Sequence, residues 1–207
     1  MQIAEIYNNL EIHPNLQEHM VWVAGLAKVI CDNWKDSDRP LNSEALYQSC
    51  LFHDAAKLIK FKTFEQDTEH WEEVRQTYIK KYGGMEHDAT IAMCKVTGVS
   101  NAAIELLNAK HINPFVERAR FIANSDNFEL KILAYCDSRI APKGITSLQG
   151  RYEELLSRDD SKAEDKESVK LFLETEKQIQ ARTCLNLASI SQETLAEQKE
   201  YFLKYEI

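Results

Sequence analysis

The sequence predicts an all-α fold, a bundle of helices. Three observations carry this. Glycine and proline are scarce, at 6 and 4 of 207 residues, while helix-forming residues dominate. Apolar residues recur at intervals of three and four along most of the chain. Turn-forming residues fall between these periodic stretches and not within them. A hydrophobic fraction of 44% is enough for a substantial core.

Taken in order, Pro14 suits the first turn of a helix. Leu16, Met20, Val23, Leu26, Ala27 and Ile30 follow it at helical spacing. Residues 36–42 (DSDRPLN) break that helix, and Asn42 or Ser43 can cap the next. The second helix carries Leu46, Cys50, His53 and Lys57 at steps of four, three and four. Residues 66–81 are polar and aromatic and read as a helix ended by Gly83 and Gly84. A helix starting near Met85 carries His87 and stops at Gly98. Ser100 can cap the segment NAAIELLNAKH, which delivers His111 at its C-terminal end. Pro114 marks a break, residues 115–123 read as helical, and Phe128 to Ile140 is a strongly apolar helix containing Asp137. After Pro142 and Gly144 the character changes. Residues 147–158 are amphipathic, 157–168 are charge-rich and expected to form an exposed turn, and 168–182 and 191–205 read as two further helices. The expected organisation is therefore a main domain over residues 1–144 and a C-terminal helical extension over 145–207, packed on or beside it.

Composition excludes several classes. The formal net charge of −8 argues against binding a nucleic-acid backbone, which requires a basic stripe. It permits a small anionic substrate wherever a metal supplies local positive charge. The five cysteines are scattered with no CxxC, so buried thiols are expected in place of a disulfide framework or zinc knuckle. The first fifteen residues lack a basic and an apolar region of signal type, and no stretch approaches the ~20 apolar residues of a membrane helix. The expected location is cytoplasmic, without a membrane partner.

The chemistry is concentrated in six residues, in the order His19, His53-Asp54, His87, His111, Asp137. Each lies inside or at the end of a helix-like apolar stretch. Imidazoles and carboxylates delivered from separate helices to one point are what a metal site in a bundle requires. A His-Asp dipeptide alone is weak: with six His and eleven Asp in 207 residues, roughly 0.3 such pairs are expected by chance. Two occur, His53-Asp54 in CLFHDAAK and His87-Asp88 in GMEHDATIA; the first resembles a known family's apolar-apolar-His-Asp-x-x-Lys helix and the second that family's helix with a single later histidine. Asp88 is read as a bystander.

The ordered set resembles the HD-domain superfamily of metal-dependent phosphohydrolases, in particular its six-ligand branch with the pattern H…HD…H…H…D. The segments QEHMVWVAGLAKVI, CLFHDAAK, IELLNAKH and KILAYCDSRI each resemble a ligand-bearing helix of that family, and the resemblance covers about residues 15–142. It implies an HD-domain helical bundle. It further implies two divalent metals, drawn from Fe, Mn, Co, Ni, Zn or Mg. One is held by His19, His53, Asp54 and Asp137, the other by Asp54, His87 and His111, with Asp54 as the bridge. The implied function is a phosphohydrolase that acts on a nucleotide or related small phosphate ester through a metal-bound hydroxide. Catalysis is assigned to Asp54 and Lys57, and substrate contact to Lys57 and Arg139. Arg118, Arg120, Lys143 and Arg151 are further candidate phosphate contacts, against the plainer reading of a solvated face. His13 and His70 fall outside the pattern and read as surface residues. Phe61, Phe64, Trp71, Tyr78 and Tyr82 either wall the pocket or pack in the core.

The chain lacks the GYP signature of one phosphodiesterase group, and Ala55-Ala56-Lys57 stands where alarmone hydrolases carry an acidic pair. Two other functions share the ligand order: a di-iron oxygenase of the kind that includes myo-inositol oxygenase, and a non-catalytic nucleotide-binding sensor.

Overall fold

A computed structural model describes residues 1–64, 66–157 and 166–207. Pro14 opens its longest helix, α2 (Pro14–Asp32), where the missing N–H costs nothing. His13 caps that helix, its Nδ1 accepting from the Asn15 N–H at 3.3 Å. Met20, Val23, Ala24, Leu26, Ala27 and Ile30 of α2 are fully buried, so this helix is the axis of the molecule. A short helix, α1 (Ile3–Asn9), precedes it; the sequence reading did not anticipate α1.

Three helices surround α2: α3 (Ser43–Phe52), α8 (Phe128–Arg139) and α11 (Gln192–Leu203). Asn42 caps α3 by accepting from the Ala45 N–H at 3.1 Å. Asn127 caps α8 in the same way, from Leu130 at 2.7 Å. The α11 backbone can approach α2 closely because position 25 is glycine; a Cβ there would lie 3.1 Å from Gln198 Cβ. Around this core run α4 (Thr68–Tyr82), α5 (Glu86–Thr97), α6 (Asn101–Lys110) and α7 (Phe115–Asn124). Helix α5 ends at Gly98, whose φ of 84° is a left-handed conformation that closes a helix without Cβ strain. A two-stranded hairpin, β1 (Ile140–Ala141) and β2 (Gly144–Ile145), follows α8. Then come α9 (Leu148–Ser157) and α10 (Lys166–Gln180). The charge-rich turn expected at 157–168 covers residues 158–165, which lie outside the described residues.

The protein is thus all-α, with eleven α-helices among the described residues. No helix of the described residues is long and apolar enough to cross a membrane. The helices after residue 145 share one core with the rest. Phe172, Ile179, Leu187, Leu195 and Phe202 join the same buried cluster as α2 and α8. The two chain ends also pair, with Ile3 N–H donating to Tyr205 O at 2.9 Å.

One local departure from the sequence reading matters for the site. Helix α3 stops at Phe52 and does not run on to Lys57. From His53 the chain tightens into successive i→i+3 turns. Ala55 N–H bonds Phe52 O at 3.0 Å and Lys57 N–H bonds Asp54 O at 2.9 Å, leading into a 3₁₀ turn over Lys57–Lys60. Ala55 and Ala56 are fully buried there, and Ala56 N–H reaches Thr90 Oγ1 of α5 at 3.3 Å. Only small side chains fit that crossing.

Candidate metal centre

Three helical regions converge at one end of α2. His19 comes from the second turn of α2, His53 and Asp54 from the tightened turn after α3, and Asp137 from the last turn of α8. His19 Nε2, His53 Nε2 and Asp137 Oδ1 form a triangle with all three sides 3.2 Å. Asp54 Oδ2 lies 3.9 Å from His53 Nε2. The donor atoms of His19, His53 and Asp54 all lie within 4.8 Å of one another.

Hydrogen bonding alone does not account for that triangle. His53 Nδ1 lies 2.8 Å from the carbonyl oxygen of Cys50, which fixes its proton on that nitrogen. In its neutral form the ring aims a bare Nε2 lone pair at a carboxylate oxygen that is also an acceptor, and in its charged form its one Nε2 proton cannot serve both Asp137 Oδ1 and His19 Nε2. A cation between them resolves the conflict. Donor atoms ~2.1 Å from a common ion subtend edges of ~3.0–3.4 Å between octahedral and tetrahedral angles, and 3.2 Å falls in that range. A carbonyl on the far nitrogen is also the usual way a ligating imidazole is oriented. The residues present therefore fit a divalent metal.

Charge settles the carboxylates. Burial alone would raise the pKa of Asp54, but His53 and Lys57 outweigh it and hold it at about 2. Burial acts on Asp137 in the same sense, and Lys110 and His53 bring it well below the usual carboxylate range. Both carboxyl groups are therefore ionised at neutral pH and available to a cation.

The HD domain family model matches residues 16–137, more than half of the chain. The chain belongs to the HD domain family. Comparison with curated proteins and with solved structures finds no match. All six residues singled out in the sequence fall inside the HD match, which ends on Asp137 itself. HD domains bind divalent metals and belong to a superfamily of metal-dependent phosphohydrolases.

Around its His-Asp dipeptide this HD domain opens a cavity of about 920 Å³. His87 and His111 lie on its wall as a separate pair, rings stacked 3.9 Å apart at 4°, with His87 Nε2 2.9 Å from Asn108 Oδ1. Four of the six expected ligands thus meet at one point, and two line the same cavity beside them. Lys57 stands over the dipeptide, its Nζ 3.2 Å from Asp54 Oδ1 and 3.6 Å from Glu86 Oε1. The 3₁₀ turn produces that contact, because residues three apart eclipse in it. Asp54 and the neighbouring carboxylates raise the Lys57 pKa in spite of burial.

Arg139 is a correction. It is 3% exposed and does not line the cavity. Its guanidinium donates to Thr146 O, Tyr135 Oη and, at 3.1 Å, Leu187 O, with Glu176 Oε1 3.8 Å away. It stands two residues after Asp137, on another face of α8, and there it bolts the β1–β2 hairpin to the C-terminal helices. Arg120 also turns away from the cavity, to Glu117 and Glu167 at 2.5 Å each. Arg118, Lys143 and Arg151 do line the cavity. His13 is half-buried, capping α2 and packing on Trp71 with ring centres 4.5 Å apart. Phe61 joins the cavity wall, and Tyr78 is buried in the core.

Two cavity residues escaped the sequence reading. Lys110 Nζ donates to Asp137 Oδ2 at 2.7 Å, which leaves Oδ1 turned to the two imidazoles. Glu86 pairs with both Lys57 and Lys60. Each directly precedes a histidine of the pattern, and the signal was there: an ionisable residue at the same step before His87 and before His111.

Proposed function

We propose that this HD domain is a metal-dependent phosphohydrolase acting on a nucleotide or a related small phosphate ester. The observation that carries the reading is the set of metal donors on the floor of a cavity whose walls are cationic. Six lysines and arginines line it against four carboxylates, on a chain whose net charge is −8. That inversion of sign suits an anionic substrate. A volume of about 920 Å³ is ample for a nucleotide.

In this reading His19, His53, Asp54 and Asp137 hold one divalent metal. His87 and His111 would hold a second, with Asp54 as the residue common to both sites. Bound metal supplies a water of lowered pKa and a Lewis acid for phosphoryl oxygens. Lys110 keeps Asp137 oriented with one oxygen toward the metal site. Lys57, held between Asp54 and Glu86, presents its ammonium to charge developing on a non-bridging phosphoryl oxygen, where a fixed donor is most effective.

The test is a phosphate-release screen across nucleotides and sugar phosphates, with metal analysis on the same preparation. The reading expects about two metals per chain, release of phosphate from at least one compound, and loss of release on chelation and in His53→Ala. Release that survives chelation and His53→Ala would place the activity elsewhere. One tight metal with no second would reduce the centre to the His19, His53, Asp54 and Asp137 cluster.

A further inference from the structure

We propose that the cavity holds a second anion seat, distinct from the metal centre and built on Arg118 with Lys143 and Arg151, and that the substrate carries two phosphate groups. This rests on the phosphohydrolase reading for what happens at the first phosphate, but the seat itself does not depend on metal.

Charge pairing inside the cavity locates the seat. All four lining carboxylates are matched: Asp54 by Lys57, Glu86 by Lys60, Asp137 by Lys110, and Glu18 by Lys199 at 2.8 Å. The three lining lysines at the metal centre are thereby taken up. The remaining lining cations are Arg118, Lys143 and Arg151, of which Arg151 alone has an ion pair among the described residues, with Glu154 outside the lining.

Arg118 is the centre of that group. It rises from α7, half-buried, and its Nε donates to Ile112 O at 3.0 Å. Its guanidinium lies over the Phe115 ring at 5.7 Å. One nitrogen is thus fixed, and neither Nη group has a hydrogen bond among the described residues. A half-buried guanidinium held by one edge with its other nitrogens free is a fork set for two oxygens of a phosphate. Asp137, Glu86 and Asp54 act on it electrostatically across the cavity, each already matched by a lysine.

The other two residues are brought up by packing. Phe115 stacks on Phe172 with ring centres 5.6 Å apart, and Tyr152 meets the same ring at 6.3 Å. Phe172 of α10 thus packs against both α7 and α9, and Arg151, next to Tyr152, lines the same cavity as Arg118. Arg151 pairs with Glu154, which fixes its side chain. Lys143 sits at the turn of the β1–β2 hairpin, exposed and with no ion pair among the described residues. The buried Arg139 holds that hairpin through Thr146.

A simple monophosphate would satisfy the metal centre and leave this fork empty. A substrate with a second phosphate fills both.

The experiment counts bound anions with inorganic phosphate as the probe, by equilibrium dialysis of the full chain. Four samples are compared: metal-loaded and chelator-stripped protein, each as wild type and Arg118→Gln. Circular dichroism confirms that all four are folded. The expected stoichiometries are two phosphates for loaded wild type, one for stripped wild type, one for loaded Arg118→Gln and none for stripped Arg118→Gln. Lys143→Gln should weaken the metal-independent phosphate by about 10-fold, as loss of one charged donor does. Stripped wild type that binds no phosphate, or Arg118→Gln that binds it unchanged, overturns the seat. A failure of the hydrolase reading would leave the metal-free stoichiometry standing, so the two are separable. The substrate class is read in the phosphate-release screen. Doubly phosphorylated compounds should outpace their monophosphate counterparts by about 10-fold or more; equal turnover overturns the class.

Discussion

Replacing Arg139 by methionine tests whether this residue acts on the fold or on the substrate. Methionine keeps most of the side-chain volume and removes the charge. Arg139 is 3% exposed, and its guanidinium serves Thr146 O, Tyr135 Oη and Leu187 O, with Glu176 at 3.8 Å. Deleting one partner of a buried ionic network strands the others, at a cost of ~3–5 kcal/mol. For a chain of this length each kcal/mol lowers Tm by ~2–4 °C, so a fall of roughly 6–20 °C is expected. Urea unfolding followed by helical circular dichroism measures the loss. Metal content, assayed well below the new Tm, should be unchanged, because no metal donor contacts Arg139. A variant within ~1 kcal/mol of wild type that has lost phosphate-ester binding would show the reasoning wrong and return Arg139 to the substrate.

Three further outcomes are expected. Asp54→Ala should lose metal at both proposed sites and all phosphate release while keeping its helical circular dichroism; full metal content would remove Asp54 from the centre, and His70→Ala is the neutral control. Lys57→Ala should keep its metals and lose on the order of 10²-fold in turnover, as removal of one electrostatic donor does; unchanged turnover would make Lys57 a structural partner of Glu86. Of the five thiols, Cys184 alone is exposed, whereas burial pushes Cys31 and Cys94 up to about 12 and Cys50 and Cys136 well above the ordinary value. At pH 8 a pKa of about 12 leaves a thiolate fraction of roughly 10⁻⁴. Alkylation of the native protein should therefore modify one cysteine quickly and the other four only on unfolding; rapid labelling of a second would show that the core opens.

The helices were legible because their signals are local. Asn42 and Ser100 cap by accepting from N–H groups three residues on, and Gly98 closes α5 in the left-handed region, as such residues do in any context. The ligand order was legible because histidines inside apolar stretches are conspicuous. What the sequence hid depends on contacts distant along the chain. Helix α3 ends at Phe52 because the next residues must cross α5 at Thr90, which helical spacing through Lys57 does not register. Arg139 looked like a substrate contact until α10 and Leu187, some forty residues later, came to enclose it. Lys110 and Glu86 stand beside more visible histidines, and only the fold brings them to Asp137 and to Lys57 and Lys60. Helix α1 is only seven residues long, and its Ile3 N–H is tied to Tyr205 at the far end of the chain.

Hydrolysis at a metal centre is the proposed chemistry, and the alternative for the same six residues is an oxygen-dependent iron pair. The most direct measurement is phosphate release by protein stripped of iron and reconstituted with manganese, under strict exclusion of oxygen, with wild type and His53→Ala in parallel. Hydrolysis needs water and a metal that polarises it, so anaerobic wild type is expected to release phosphate from at least one doubly phosphorylated nucleotide and His53→Ala to release none. Activity that appears only with iron in air, with consumption of oxygen, would contradict the account.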